Sequence, residues 1–199
     1  MSEQSVLMVD TDEELKKIIR QLNSLPDQIA APKILKNALN STARKVRAQV
    51  VRDAKERYAI TDKRALKEKA RGAPQVNTAS VSSLTATVRS RGPMQDIMTF
   101  MTQPNTATGA AAAKVLKNGS MKELEKGDLK AFVTRFASGH VAIVQRRGEE
   151  RMPVKKLLSP AIPHLLGNEE VRAQAEVLAY DILQNEIQKR IQKINTARA

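Results

Sequence analysis

Cysteine and tryptophan are both absent from this sequence, which has only two tyrosines and three phenylalanines in 199 residues. The lack of cysteine excludes disulfide bonds, thiolate catalysis and cysteine-ligated zinc. Any core must therefore consist of Leu, Ile, Val, Ala and Met side chains, which is thin for a chain of this length. We expect one domain with mobile extensions, and part of the apolar surface covered by neighbouring subunits.

Long apolar runs are absent as well. No stretch approaches the roughly 18 apolar residues that cross a bilayer. The N-terminal sequence MSEQSVLMVDTDEE lacks the basic and apolar regions of a signal peptide. We therefore expect a soluble protein that is made inside the cell and has no membrane partner.

Catalytic and metal-binding patterns are also missing. The two histidines, His140 and His164, have no acidic residue at metal-ligand spacing, and we expect both to be structural or solvent-facing. The segment Gly109–Lys114 lacks the second glycine and the Ser or Thr of a phosphate-binding P-loop. No serine lies in a nucleophile elbow. The sequence thus predicts no enzymatic activity, no metal and no cofactor.

Positive charge, by contrast, is abundant. The formal net charge is +13, which predicts an anionic partner of some kind. Between Arg44 and Arg71 there are eleven basic residues against four acidic ones. The basic residues are Arg44, Lys45, Arg47, Arg52, Lys55, Arg57, Lys63, Arg64, Lys67, Lys69 and Arg71. Two interpretations stay open: solvated backs of helices, or a surface that meets nucleic acid or another anionic partner without sequence preference.

The first part of this basic stretch belongs to one long amphipathic helix, predicted over 31–58. Apolar residues recur every three or four positions along it, on one drifting stripe that must be covered. The stripe consists of Leu35, Leu39, Ala43, Val46, Val50 and Ala54. Pro32 lies inside the pattern, so we expect a kink there or two helices.

Alternation and turn signals predict the remaining core elements. We expect helices at 13–22 and 62–71, strands at 83–91 and 114–117, an Asn118-Gly119 turn, a mobile loop near 104–113, and a hairpin of 131–136 with 141–146. The predicted fold class is α+β, with an antiparallel sheet and its hairpins packed against the long helix, plus a C-terminal helix. The predicted parts are an arm with a short helix at 1–24, a core domain at 25–167 and the helix at 168–199.

The C-terminal helix, capped by Asn168, shows two apolar faces. Val171, Ala175, Leu178 and Ile182 share the first face, and Leu183, Ile187, Ile191 and Ile194 share the second. One flat partner does not cover both faces. The second face is therefore predicted to pack on another subunit.

The order of elements resembles a known family. The helix ALNSTARKVRAQVVRDAKERYAI followed by KRALKEKA, and the later AFVTRFASGHVAIVQRRGEERMPVKKLLSPAIPHLL, are similar to the minor tail protein Z family of long-tailed bacteriophages and prophages. In that family a hairpin ending in an arginine pair leads to a proline-rich segment before the terminal helix. The matching positions here are Arg146, Arg147, Pro153, Pro160 and Pro163. The resemblance extends from about Ile34 to Val171.

The resemblance implies a structural virion protein at the head-proximal end of a phage tail, made in the bacterial host cytoplasm. Such tail-completion or neck proteins join the tail tube or its terminator to the head connector and lie near the DNA conduit. The implied partners are further copies in a hexameric ring, a tail terminator or tail tube protein, head connector proteins, the tape measure protein and phage DNA. The arginine pair and the prolines are implied assembly contacts.

Two other functions stay open. A non-specific nucleic-acid-binding protein requires tight, salt-dependent binding by the isolated monomer. An enzyme acting on an anionic substrate requires an acid and base pair, and the sequence offers none that we can name.

Overall fold

The protein is described by a computed structural model that covers residues 3–7, 17, 20, 30–67, 69–103 and 110–196. The fold is α+β, as predicted. Of the predicted helix at 13–22, only Lys17 and Arg20 fall within the described residues, and both are helical. The helices with described ends are α1 (Ala30–Arg57), α2 (Ile162–Leu166) and α3 (Glu169–Thr196).

The strands are mostly short, and they form small antiparallel sheets. They are β1 (Glu3–Leu7), β2 (Gln75–Asn77), β3 (Thr87–Gly92), β4 (Gln95–Asp96), β5 (Met101–Gln103), β6 (Ala112–Lys114), β7 (Lys122–Glu123), β8 (Glu125–Lys126), β9 (Leu129–Arg135), β10 (Val141–Arg146), β11 (Val154–Lys156) and β12 (Leu158–Ser159). The sheet orders are β1-β3-β2, β11-β10-β9-β8, β12-β4 and β5-β6-β7.

The chain divides into two compact units. One, here called the β-rich unit, contains Arg52–Ala73 and Arg91–Leu165. The other, the helical unit, contains Gln4–Val51, Pro74–Ser90 and Leu166–Ala199. This division differs from the predicted core domain of 25–167 with a separate terminal helix, because α3 shares a core with the first half of α1.

The core of the helical unit lies between α1 and α3. Ala31, Ile34, Leu35 and Ala38 of α1 form one buried cluster with Leu183 and Ile187 of α3, and Leu39, Ile191 and Ile194 pack against it. Each large aliphatic side chain buried in this way contributes about 1.5 to 3 kcal/mol. The apolar stripe predicted for α1 is therefore confirmed as a core face. Pro32 is the third described residue of α1, and the described helix continues through it to Arg57.

The apolar residues of α3 correct the prediction of an intersubunit face. Leu183 and Ile187 are each only 2% exposed within the single chain, so they are not available as assembly contacts. The buried residues Val171, Ala175, Ala179, Leu183 and Ile187 follow one another every four residues. A four-residue spacing turns by about 40° per step on a helix. The two predicted faces are therefore one stripe that winds around α3.

Side chains of α1 also hold the residues on either side of β2. The side chain of Asn40 donates to the carbonyl of Ala79 at 3.1 Å and accepts from its amide at 2.7 Å. Arg47 Nε donates to the carbonyl of Pro74 at 2.7 Å. The strand predicted at 83–91 is present as β3, although it begins only at Thr87. It pairs with β2 through Val88 opposite Val76.

The β-rich unit is organised around the predicted hairpin of β9 and β10, which is confirmed. Val141 lies opposite Arg135 and Ile143 opposite Val133, so alternate side chains share a face. The amide of Phe136 donates to the carbonyl of His140 at 2.9 Å, and Gly139 closes the turn at φ +80°. The hairpin supplies Ala131 and Ile143 to a core cluster.

The predicted loop near 104–113 is wrong at its C-terminal end. Residues 104–109 lie outside the described part of the chain, but Ala112–Lys114 form strand β6. Ala111 and Ala113 are buried in the cluster with Ile97 and Ile143. The amide of Ala111 donates to the carbonyl of Ala131 at 2.8 Å, which ties this run to β9. The predicted strand of 114–117 is wrong in its bounds: only Lys114 of that range belongs to β6, and Leu116 forms an isolated bridge with Tyr58.

Candidate functional site

The candidate site is the basic segment 61–71 of the β-rich unit, which follows α1. Its start is fixed by hydrogen bonds to the stretch before β5. The amides of Thr61 and Asp62 donate to the carbonyl of Thr99 at 3.0 and 3.2 Å. The hydroxyl of Thr61 donates to the carbonyl of Phe100 at 3.0 Å, and Phe100 is fully buried. The segment therefore leaves the core from a fixed point.

The segment folds as successive turns, so the predicted helix at 62–71 is wrong. The amide of Ala65 donates to the carbonyl of Asp62, that of Lys67 to Arg64 and that of Ala70 to Lys67, each a bond to the third residue back. Asp62 Oδ1 accepts from the amide of Arg64 at 2.8 Å, as a cap would. Contacts at both ends of the segment override its helix propensity.

Its end is fixed by a close approach of two backbone segments. Gly72 has φ +91°, a conformation that glycine adopts readily. A Cβ atom on Gly92 would lie only 2.6 Å from the Cα atom of Gly72. No side chain fits between these two backbones, which explains why glycine stands at both positions.

Replacing Gly92 with alanine is therefore expected to destabilise the β-rich unit by about 2 to 3 kcal/mol, since a backbone must shift to admit the methyl group. Denaturant unfolding of the full chain measures the loss. Gly148→Ala is the matched control, because a Cβ at Gly148 meets no atom within 4 Å; its free energy of unfolding should change by less than about 0.5 kcal/mol. Equal stabilities for the two variants would contradict the close approach.

Between these fixed ends, the segment presents a row of cations to solvent. Ala65 and Leu66 are buried and hold the turns against the unit. The exposed cations are Lys63, Arg64, Lys67, Lys69 and Arg71. Among the described residues, no carboxylate lies within 4.0 Å of their charged nitrogens. The segment therefore presents exposed positive charge between two fixed ends, an arrangement suited to an extended anion.

The eleven predicted basic residues are divided between the two units. Those in the β-rich unit are Arg52, Lys55, Arg57, Lys63, Arg64, Lys67, Lys69 and Arg71. Arg57 is only partly exposed. Arg44, Lys45 and Arg47 belong to the helical unit, where Arg47 holds Pro74 and Lys45 is used in an ion pair.

That ion pair belongs to a buried carboxylate cluster which sequence reasoning missed. Glu186 of α3 accepts from Lys45 Nζ at 2.6 Å and from Arg190 Nη2 at 3.2 Å. Arg190 also donates to the carbonyl of Asn37 at 3.1 Å, which joins α3 to α1. The hydrogen bond from Lys45 lowers the pKa of Glu186, although burial acts in the opposite direction. The available signal was an acidic residue directly beside the apolar stripe of α3.

Glu186→Gln is expected to lower the free energy of unfolding by about 1 to 3 kcal/mol near neutral pH, because two cations lose their buried partner. A lowered pKa means that the carboxylate stabilises the fold above its ordinary pKa of 4.5, and that this contribution is lost as the pH falls below that value. The free energy of unfolding of Glu186→Gln should therefore lie below that of wild type by a constant amount near neutral pH. This difference should become smaller in acid.

Glu176→Gln is the matched control, since Glu176 pairs with Arg172 at 3.3 Å on the exposed surface of the same helix. Its effect should stay below about 0.5 kcal/mol. Chemical denaturation between pH 3 and pH 7 measures both variants. If the loss of unfolding free energy in Glu186→Gln were the same at every pH, this would contradict the role of Glu186 as an ionised partner.

A second polar cluster joins the tip of the β9–β10 hairpin to strand β4. Asp96 Oδ2 lies 2.7 Å from Lys156 Nζ and 3.7 Å from His140 Nε2, and the two nitrogens are 3.0 Å apart. His140 also stacks on Phe136. Asp96 accepts from the amide of Met98 as well, so this carboxylate is already committed to structural contacts. His164 is exposed.

The predicted assembly contacts in the β-rich unit differ in their exposure to solvent. Arg146, Arg147, Pro153 and Pro160 are exposed. The guanidinium of Arg146 lies 5.9 Å from the centre of the Phe132 ring, within the range of a cation–π contact. Pro163, however, is fully buried in the single chain, so its prediction as an assembly contact is wrong.

Comparison with protein-family models, with curated proteins and with solved structures returned no match. Among the described residues, no group of three or more histidine or acidic side chains is placed to hold a metal ion. In the same part of the chain, no helix is long and apolar enough to cross a membrane.

Proposed function

We propose that this chain is a structural virion protein at the head-proximal end of a phage tail, a tail-completion or neck component without catalytic activity. The observation that carries the proposal is the row of exposed cations between 63 and 71, in a segment whose two ends are fixed. Positive charge held in place beside a DNA conduit would neutralise phosphates of the duplex that passes.

The sequence resemblance to the minor tail protein Z family supplies the setting for this surface. In that setting the chain forms a ring of identical subunits between the tail tube or its terminator and the head connector, with the tape measure protein as a further neighbour. A ring multiplies weak contacts, so a few cations in each subunit suffice for a strong total interaction with DNA.

A non-specific nucleic-acid-binding protein is the second candidate function. The same cations favour it, because phosphate contacts carry no sequence information. The two functions differ in the form that binds: this candidate requires tight binding by the monomer, whereas a neck subunit binds weakly until a ring has formed. Mass measured by light scattering together with DNA affinity separates the two.

Electron microscopy of lysates from the parent genome tests the proposal, with this reading frame deleted and infectivity counted alongside. We expect separate full heads and tails, or joined particles that fail to deliver DNA. A plasmid copy of the wild-type frame should restore infectivity. Morphologically normal and infectious particles from the deletion would overturn the proposal and leave the nucleic-acid-binding function as the better account.

A further inference from the structure

Helix α3 carries an apolar face that the single chain does not cover. Its buried stripe, which includes Ala175 and Ala179, occupies one side of the helix. Ala173, Val177 and Tyr180 follow at spacings of four and three residues and therefore share the opposite side. Val177 is 69% exposed, the highest value among the exposed large hydrophobic residues described. Gln184 donates to the Tyr180 hydroxyl at 2.6 Å and fixes that ring's polar tip.

The charges around this face are acidic. At about 100° per residue, Glu169, Glu170 and Asp181 lie on the same side of α3 as Val177, and all three are exposed. The basic residue in this half of the helix, Arg172, lies on another side and pairs with Glu176. An acidic surface with an apolar centre is unusual in a chain of net charge +13. Its charge is opposite in sign to the net charge of a second copy.

The β-rich unit has a second surface with an apolar centre, which Lys114 and Lys117 flank at one end and Glu123 flanks at the other. Met101 of β5 lies opposite Lys114 of β6, and Leu116 is two residues further along, so their side chains share a face. Met101 and Leu116 are 45% and 47% exposed. Lys117 is also exposed, and Glu123 lies at the far end of this face, opposite Ala112.

We propose that the exposed α3 face of one copy docks on the Met101–Leu116 face of a second copy. Val177 and Tyr180 lose water against Met101 and Leu116, while the acidic residues of α3 meet Lys114 and Lys117. The contact joins two different surfaces, so it is heterologous and extends from subunit to subunit. In this contact the copies meet through Val177, and not through Leu183 and Ile187, which are buried. It does not depend on the proposed virion function.

Sedimentation velocity and light scattering of the full-length protein test the docking. Wild type should associate as its concentration rises, and added salt should weaken the association. Val177→Asp and Leu116→Asp should each raise the dissociation constant at least about tenfold. Val81→Asp is the control: Val81 is 50% exposed but lies on neither face, so association should be unchanged. Melting curves of dilute samples confirm that each variant folds.

Charge reversal identifies the two surfaces as partners. A variant with Glu170→Lys and Asp181→Lys, and a second with Lys114→Glu and Lys117→Glu, should each lose self-association. Mixed in equal amounts, the two variants should associate with each other. The proposal is overturned if wild type stays monomeric up to about 100 µM, if Val177→Asp associates like wild type, or if the two reversed variants do not associate when mixed.

Discussion

Val46→Asp is expected to unfold the helical unit. Val46 lies in the middle of α1 and is 1% exposed. An aspartate there buries a carboxylate at a position packed for an apolar side chain, a change that costs more than about 4 kcal/mol. Whole domains are stable by only about 5 to 15 kcal/mol. Circular dichroism and thermal melting should therefore show the loss of helix at temperatures where wild type is folded.

Val177→Asp is the matched control for this change. It places the same residue in the other long helix, but at a position that is 69% exposed. In dilute protein its melting temperature should stay close to that of wild type. If Val46→Asp melted like this control, α1 would not pack through the stripe that contains Val46.

The long helix and the main hairpin were predictable because their signals are local and repeated. In α1 the buried positions from Ala31 to Ala54 recur at helical spacing over many turns, and no loop interrupts them. The hairpin of β9 and β10 combines β-branched and aromatic residues with a glycine turn at Gly139. Each of these elements can be recognised from a short stretch of sequence.

Alanine-rich segments were not predictable in the same way. The run from Ala110 to Ala113 carries no strand preference, yet it is buried, leads into β6 and pairs through Ala111 with Ala131. Ala179 likewise belongs to the buried stripe of α3. When Ala179 is not counted as a core residue, this one winding stripe is divided into two separate faces. Burial of alanine is decided by what packs around it, which a single sequence does not display.

For the basic residues, too, only part of their role could be predicted from the sequence. Exposure of the cations at 63–71 follows from their charge alone. That Lys45 is used by Glu186 and Arg47 by Pro74 depends on residues distant in the chain, and no local pattern reports such pairings. The turn structure of 62–71 is another case, because its anchors at Thr99 and Gly92 come later in the sequence.

Neutralising the basic segment is expected to give the largest effect on binding. Replacing its five cations with glutamine should weaken binding to duplex DNA on the order of 10³-fold at physiological salt, because about five phosphate contacts and their released counterions are lost. The replaced residues are Lys63, Arg64, Lys67, Lys69 and Arg71. Fold and stability should be unaffected, since all five side chains are exposed.

A control variant removes five positive charges from other exposed positions of the β-rich unit. These positions are Lys122, Arg135, Arg147, Arg151 and Lys155. Both variants have the same net charge, so a difference between them reports position and not total charge. The control should bind DNA with an affinity within about tenfold of wild type.

The most direct test of the account is the salt dependence of DNA affinity, measured for wild type and both variants in the same oligomeric state. We predict that the slope of log affinity against log salt is about 4.5 units shallower for the 63–71 variant than for wild type, since each lost phosphate contact removes about 0.9. The control variant should keep nearly the wild-type slope. Equal slopes for the two variants would show that net charge alone attracts DNA, and would contradict a phosphate-facing role for 63–71.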